Sequence, residues 1–239
     1  LPTLEAQSID TIITDLPYGT TACAWDEVIP FAPMWAEVKR VLKPRGVFVT
    51  TASQPFTSKL VMSNAEWFRY CWVWEKDNAT APSLANVAPM KYHEDIAVFS
   101  ASGHIYNPQM WDAGRPTNKR GHSPRALAQG REKKYTGEQV LSNYRFPKSI
   151  VKFDRPKANI GLCHPTQKPV ALYAYLIRTY TNPGDTVLDF TMGSGTTLVA
   201  AVKEGRNGIG IELDPGYFAI AEKRISEAAM QMPLFEAQP

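Results

Sequence analysis

Two acidic residues stand where an α/β chain usually does its chemistry. Asp189 closes the apolar run Thr186-Val187-Leu188 and leads into Phe190-Thr191-Met192-Gly193-Ser194-Gly195-Thr196-Thr197. Apolar and β-branched residues before it suit a buried strand. Gly193 and Gly195 permit a tight turn and let a ligand approach the backbone. An apolar helix follows, and after the turn Gly205-Arg206-Asn207-Gly208 a second strand, Ile209-Gly210-Ile211, ends in Glu212. An acid about 20 positions beyond the first is how a nucleotide-binding fold reaches ribose hydroxyls. The other acid, Asp15, closes the strand-like run Ile9–Asp15 and opens Leu16-Pro17-Tyr18-Gly19. It puts an acid, a proline and an aromatic at the edge where α/β folds bind ligands. Each stretch alone also reads as an ordinary turn, since Asp, Pro and Gly are turn residues.

The glycine turn is not a dinucleotide fingerprint, because G-S-G-T-T-L lacks the third glycine, and it has no lysine for a phosphate-binding loop. An acid in front of the helix suits a cation or a ribose better than a pyrophosphate. S-adenosylmethionine carries a sulfonium, an ammonium and a ribose.

These residues need elements to hold them. The helix expected over residues 31–42 has Met34, Trp35, Val38, Val41 and Leu42 on one face, and Lys43-Pro44-Arg45-Gly46 stops it before a strand at 47–51. A short helix is expected at Phe56–Ser63, and a strand with alternating aromatics at 68–74, where Trp72 and Trp74, like nearby Trp67, read as core. A prolyl loop over 79–90 precedes a strand at 96–99. His93-Glu94, just before it, reads as a structural hydrogen-bonding pair. His164-Pro165-Thr166-Gln167-Lys168-Pro169 leads into a helix, Val170–Tyr180, with Leu172, Tyr175, Leu176 and Thr179 on its buried face. A last helix after Leu213-Asp214-Pro215 carries Ala219, Ile220, Ile225 and Ala228, and residues 233–239 read as a loose tail.

The hydrophobic share is 44% and the charged share 21%, as in globular domains. No stretch of about 18 apolar residues is present to span a membrane, and no signal-peptide pattern is seen. Cys23, Cys71 and Cys163 are widely spaced, so neither a zinc site nor a disulfide framework is expected, and a reducing cytoplasm is the simplest setting. The chain begins at Leu1 and enters a strand almost at once, so sequence is expected to precede it.

The charge is uneven. Residues 101–163 hold 12 Lys and Arg against 4 Asp and Glu, whereas the rest of the chain holds 14 against 19. A solvated face is the ordinary reading of a charge run, but a basic, loop-rich insertion between two α/β parts favours contact with a phosphate backbone. The candidates are Arg115, Lys119, Arg120, Arg125, Arg131, Lys133 and Lys134. We expect a catalytic part at 1–100, the basic insertion at 101–163 and a cofactor-binding part at 164–232.

Together the stretches resemble the beta-class amino-DNA methyltransferases, the adenine-N6/cytosine-N4 group. The resemblance rests on Asp15-Leu16-Pro17-Tyr18, Val41-Leu42-Lys43-Pro44-Arg45-Gly46, residues 164–169, and Asp189 to Thr197 with Gly208 to Glu212. Their order, catalytic motif first and cofactor motif last, is that of this class. Leu16 replaces the usual proline of the catalytic motif, and Thr191 takes the usual phenylalanine position of D-P-F-x-G-S-G.

The resemblance implies a circularly permuted S-adenosylmethionine-dependent methyltransferase fold: a mostly parallel twisted sheet with helices on both faces, from which the basic insertion projects as a target-recognition region. It implies that Asp15 and the Leu16 carbonyl accept the two N–H bonds of an exocyclic amino group, that Pro17 completes the motif, and that Tyr18 stacks on a flipped base. It implies S-adenosyl-L-methionine held by Asp189, Phe190, Thr191, Gly193, Ser194, Gly195 and Thr197, with Glu212 on the ribose, Thr166 and Lys168 closing from the other side, and no metal. An acidic first motif residue is the commoner pattern for adenine-N6 enzymes. Cytosine-N4 transfer, a protein amide substrate and a non-catalytic DNA-binding module are the alternatives. Double-stranded DNA is the implied partner, with a second copy of the chain and a cognate restriction endonuclease as further ones and no membrane. The setting is the cytoplasm of a bacterium, or a phage gene.

Overall fold

The computed structural model describes residues 1–20, 26–80, 85–117, 142–156 and 167–231. The chain divides into two compact units, one formed by Leu1–Asn107 with Ser149–Pro239 and one by Pro108–Lys148.

The larger unit is a seven-stranded sheet. Its strands are β1 (Ile9–Asp15), β2 (Leu42–Ala52), β3 (Phe68–Thr80), β4 (Lys91–Phe99), β7 (Ile150–Lys152), β8 (Thr186–Asp189) and β9 (Asn207–Gly210), in the spatial order β7-β3-β4-β2-β1-β8-β9. β1 runs parallel to both β2 and β8, β8 to β9, and β3 to β7. Only β4 is reversed, against β2 and β3. The expected parallel sheet is therefore present, with one antiparallel strand inside it. The helices are α1 (Phe31–Val41), α2 (Phe56–Ser63), α3 (Val170–Tyr180), α4 (Thr196–Lys203) and α5 (Pro215–Met230).

Period-two alternation assigns the strand residues to two cores. Ile13, Val47, Val49, Ile96, Val98 and Val187 pack with α3 and α4 residues such as Leu172, Ile177 and Ala200. Ile12, Phe48, Ala97, Phe99 and Leu188 pack with Met34, Trp35 and Val38 of α1 and Phe56 and Leu60 of α2. The sheet thus carries helices on both faces, and Trp72 and Trp74 are core as expected. β3 runs on to Thr80 and β4 starts at Lys91, so both exceed their apolar runs. Cross-strand hydrogen bonds sustain a strand beyond the residues that bury it. On α3, Tyr173 is buried and Tyr175 only partly so, a shift from the expected face. On α5 the buried residues are Ala221 and Ala228.

The arrangement positions the two acids. β1 has β2, its successor in the chain, on one side and β8, from the far end of the chain, on the other. Ligands bind at such a divide, outside the carboxyl ends of the strands. Asp15 and Asp189 are the last residues of β1 and β8.

In the smaller unit, β5 (Trp111–Thr117) pairs antiparallel with β6 (Ser142–Arg145). Trp111 Nε1 donates to the Phe146 carbonyl at 3.2 Å, and Lys148 Nζ lies 5.2 Å from the Trp111 ring centre. Within the basic segment read from the sequence, Ile150–Lys152 belongs to the large sheet.

Candidate active site

Gly195 makes the turn into α4. It is left-handed at φ 76°, and a Cβ there would lie 2.9 Å from the Cβ of Ala221, so both conformation and space call for glycine. The turn folds the chain back over Asp189. Thr197 donates its hydroxyl to Asp189 Oδ2, Thr14 donates to Oδ1 at 2.7 Å, and the Thr191 backbone N–H reaches Oδ1 at 3.1 Å. Asp189 is 3% exposed. Burial outweighs these hydrogen bonds and raises its carboxyl to about 6.

The Thr191 side chain links the two motifs. Its hydroxyl lies between Thr14 Oγ1, at 2.6 Å, and the backbone carbonyl of Asp15, to which it donates at 3.0 Å. Thr191, one of the two departures from the resembled motifs, thus ties the end of β8 to the end of β1.

Asp15 is held differently. Its Oδ1 accepts the Tyr18 hydroxyl at 2.9 Å and the hydroxyl of Thr51, its cross-strand neighbour on β2. Its Oδ2 pairs with Lys168 Nζ at 2.7 Å. The same ammonium is 3.4 Å from Glu94 Oε2, and Glu94 pairs through Oε1 with Lys76. Lys168 is 9% exposed and Lys76 4%, so two buried lysines alternate with two partly buried carboxylates in a chain of four charges. Burial opposes the Lys168 ammonium, but Asp15 and Glu94 outweigh it and lift its pKa above the ordinary lysine value. Burial likewise opposes the Glu94 carboxylate, and Lys168 and Lys76 override it and hold its pKa below the ordinary value. Glu94 does not form the local pair with His93 that the sequence suggested. Consecutive strand residues face opposite sides of a sheet, and the lysines that meet Glu94 come from β3 and from the stretch before α3.

Both acids line one cavity of about 510 Å³. Leu16, Pro17, Tyr18, Phe190, Thr191, Gly193, Ser194, Thr197, Glu212 and Lys168 line it too, so the structure brings these expected residues together. Glu212 Oε2 accepts the Gly193 N–H at 2.8 Å, and its Oε1 accepts those of Leu213 and Asp214 at 2.9 Å. Ser194 is tied to α5, where Arg224 donates to its hydroxyl at 2.9 Å. Phe190 stacks on Phe48 at 6.4 Å. The Tyr18 ring has Phe56 at 5.2 Å and Lys168 Nζ at 5.7 Å from their respective centres. Thr166, Lys119, Arg120, Arg125, Arg131, Lys133 and Lys134 lie outside the described residues, and of Arg115 only the backbone, in β5, is described.

Asp26, Glu27 and Tyr173 are among the lining residues that had no signal in the sequence motifs. Asp26 closes the loop after Tyr18 by accepting the N–H groups of Gly19 at 2.9 Å and Thr20 at 2.8 Å. Glu27 lines the cavity beside it. Tyr173 is 2% exposed, and its hydroxyl lies near Thr51 without a hydrogen bond of good geometry among the described residues. Burial and then Asp15 keep its pKa well above the ordinary tyrosine value, so it stays a neutral donor and acceptor facing the cavity.

The cavity's charge selects its ligand. Among the described residues Asp15, Asp26, Glu27, Asp189, Glu212 and Asp214 line it against one lysine, a lining that suits a cationic, ribose-bearing ligand and disfavours a polyphosphate. Among the described residues no group of His, Cys, Asp and Glu is arranged to hold a metal ion, and no helix is long and apolar enough to cross a membrane.

A family model described as DNA methylase matches residues 9–223. The chain is 30% identical over 245 residues to the DNA adenine methyltransferase YhdJ of Escherichia coli, covering 96% of this chain and 80% of that one. The crystal structure of an M1.HpyAVI–SAM complex superposes with a TM-score of 0.60 at 26% identity, covering 93% of this chain and 90% of that one. The cytosine-N4-specific PvuII DNA methyltransferase superposes with a TM-score of 0.66 at 16% identity, covering 96% and 87%, a likeness of fold alone.

Proposed function

The chain belongs to the DNA methylase family, and from that premise we propose that it transfers a methyl group from S-adenosylmethionine to the N6 amino group of a flipped adenine in duplex DNA. The observation that carries this is the placement of Asp15 and Asp189 at the ends of adjacent parallel strands, in one acidic cavity. YhdJ, similar over nearly the whole chain, is by its name an adenine methyltransferase, and M1.HpyAVI is a SAM complex. The fold is shared with a cytosine-N4 enzyme and does not choose the target atom.

The acidic lining and the buried Tyr173 hydroxyl fit the cofactor. When bound, S-adenosylmethionine supplies an electrophilic methyl on a sulfonium. Asp189 is proposed to hold the cofactor's ammonium and Glu212 its ribose, with Gly193 and Gly195 leaving the backbone open to it. An exocyclic amino nitrogen is a weak nucleophile because its lone pair is delocalised into the ring. Asp15 and the Leu16 carbonyl are proposed to accept its two N–H bonds, which draws the nitrogen towards a pyramidal shape and aims the lone pair at the methyl carbon. The work of the site is then positioning and charge complementarity. The Tyr18 ring is proposed to stack on the base, which must leave the duplex to reach this cavity.

The basic residues of segment 101–163 are proposed to neutralise DNA phosphates and to carry target recognition. Binding to duplex DNA should then weaken steeply with salt, with a shallower salt dependence after charge reversal of Arg115, Lys119 and Arg120. A second copy of the chain and a cognate restriction endonuclease are further proposed partners.

Digestion of treated DNA to nucleosides, followed by mass spectrometry, tests the function. N6-methyladenine is expected. N4-methylcytosine would overturn the target atom, and DNA without added methyl groups would overturn the function.

A further inference from the structure

The oxygens of Asp15 are already engaged. Oδ1 takes two hydroxyl donors, from Tyr18 and Thr51. Oδ2 carries the Lys168 ammonium at 2.7 Å. An amino group that is to donate an N–H to Asp15 therefore meets a buried cation on the oxygen left for it. A carboxylate oxygen can accept twice, but a lysine on the same atom as the incoming donor repels the positive charge that develops on the nitrogen, and it neutralises the acid when its charge is needed.

The structure also holds another place for that cation. Lys168 Nζ is 3.4 Å from Glu94 Oε2, a buried carboxylate oxygen with no other partner among the described residues. Lys76 pairs with the other oxygen of Glu94 and anchors it. Drawing a buried ammonium away from its partner with nothing to receive it costs several kcal/mol. Here a short movement of one flexible side chain releases the contact with Asp15 and tightens the looser one it already has with Glu94. The four charges, two of them on buried lysines, stay paired or hydrogen-bonded throughout.

We infer that Lys168 shifts from Asp15 to Glu94 as the target amino group enters, and that Glu94 is a positioning residue which receives it. In the ligand-free protein Lys168 holds the place of the amino group on Asp15. With the base in place, Asp15 Oδ2 turns its charge to the amino N–H, and Glu94 keeps the ammonium nearby without letting it compete. Lys76 and Glu94 act through Lys168 and touch neither base nor cofactor. The inference rests on the reading of Asp15 as acceptor for the amino group.

The test is Glu94→Gln, which keeps the shape of the side chain and removes the charge that draws Lys168 over. Single-turnover methylation of target duplex should slow by about tenfold or more, in proportion to the weakened buried pair. Affinity for S-adenosylmethionine, by titration calorimetry, and KM for DNA should stay near those of the unaltered protein. An unaltered rate would overturn the inference, as would a loss of cofactor affinity that accounts for the slower rate. If Glu94→Gln does not fold, a crystal structure of the unaltered protein with S-adenosylhomocysteine and target duplex decides. Lys168 Nζ in hydrogen-bond reach of Glu94 and withdrawn from Asp15 bears the inference out, and Lys168 still on Asp15 overturns it. Failure of the proposed function itself would show separately, as absence of methyl transfer by the unaltered protein.

Discussion

Asp15 closes β1 with a lysine ammonium 2.7 Å away, whereas Asp189 closes the neighbouring β8 among two threonine hydroxyls and one backbone N–H, with no ion pair among the described residues. The two carboxylates thus meet their desolvation in different ways. Asp15 has its counter-charge built in, so its charge can be redirected when a side chain moves. Asp189 has hydrogen bonds but no counter-charge, and its carboxyl is raised to about 6 by burial. A buried acid of that kind gains most from a ligand that brings its own positive charge. The site therefore contains one acid suited to act on a neutral amino group and one suited to bind a cation.

Removing each acid in turn should separate the roles. Asp15→Ala should lower methyl transfer by about a thousandfold or more, the scale of losing a group that orients and polarises the reacting atom. Cofactor affinity by calorimetry should survive. Lost cofactor binding in this variant would erase the contrast with Asp189.

Asp189→Asn should do the reverse, weakening S-adenosylmethionine by about 30-fold or more, the scale of losing one charge from a buried pair. DNA affinity should change little. If cofactor affinity were retained, Asp189 would be a structural acid only.

A smaller effect follows from the raised carboxyl. Below about pH 6 the proton is on Asp189 and the cation loses its partner, so cofactor affinity should rise as pH increases through about 6. Stability of the cofactor-free protein has the opposite sign. The folded state keeps this proton at pH values where the unfolded chain has released it, so the contribution of Asp189 to stability falls as pH rises from the ordinary carboxylate range to about 6. Calorimetric titrations across that range check the first trend, and denaturant midpoints check the second. A flat affinity profile would place the charge of Asp189 outside cofactor binding.

The least effect is expected at the bridge between the motifs. Thr191→Val removes the hydroxyl that reaches the Asp15 carbonyl and Thr14. It should cost about 1 kcal/mol of stability, read as a melting-point drop of roughly 2–4 °C, with cofactor affinity and transfer rate both falling a few-fold. A fall in only one of the two would show that Thr191 serves one acid rather than joining them.

Much of this was legible in the sequence because it is local. The apolar, β-branched runs in Ile9–Asp15 and Thr186–Asp189 report strands with two buried faces, and Gly193 and Gly195 report a tight turn, to which the structure adds that a Cβ at Gly195 would meet Ala221. Asp15 and Asp189 were legible because strand ends are where a parallel sheet presents side chains to a ligand; Glu212 was legible by its spacing and stands two residues past β9, which ends at Gly210 and not at Glu212 as its apolar run suggested. The alternation of β3 and β4 gave their cores but not their ends, which hydrogen bonds to neighbouring strands extend.

The sequence by itself determined the helices and strands on either side of the basic segment, their order, and the acids Asp15 and Asp189 at two strand ends, but not β5, β6 and β7, which carry no long apolar run of their own. Tertiary structure alone decided that Lys168, from the stretch before α3, meets Asp15 of β1 and Glu94 of β4, that Tyr173 turns its hydroxyl to the cavity, and that Asp26 closes the loop after Tyr18. Periodicity fixes which face of its own element a side chain takes. It carries no information on which distant element packs there, and a buried charge finds its partner only once strand order and helix placement have brought the two together.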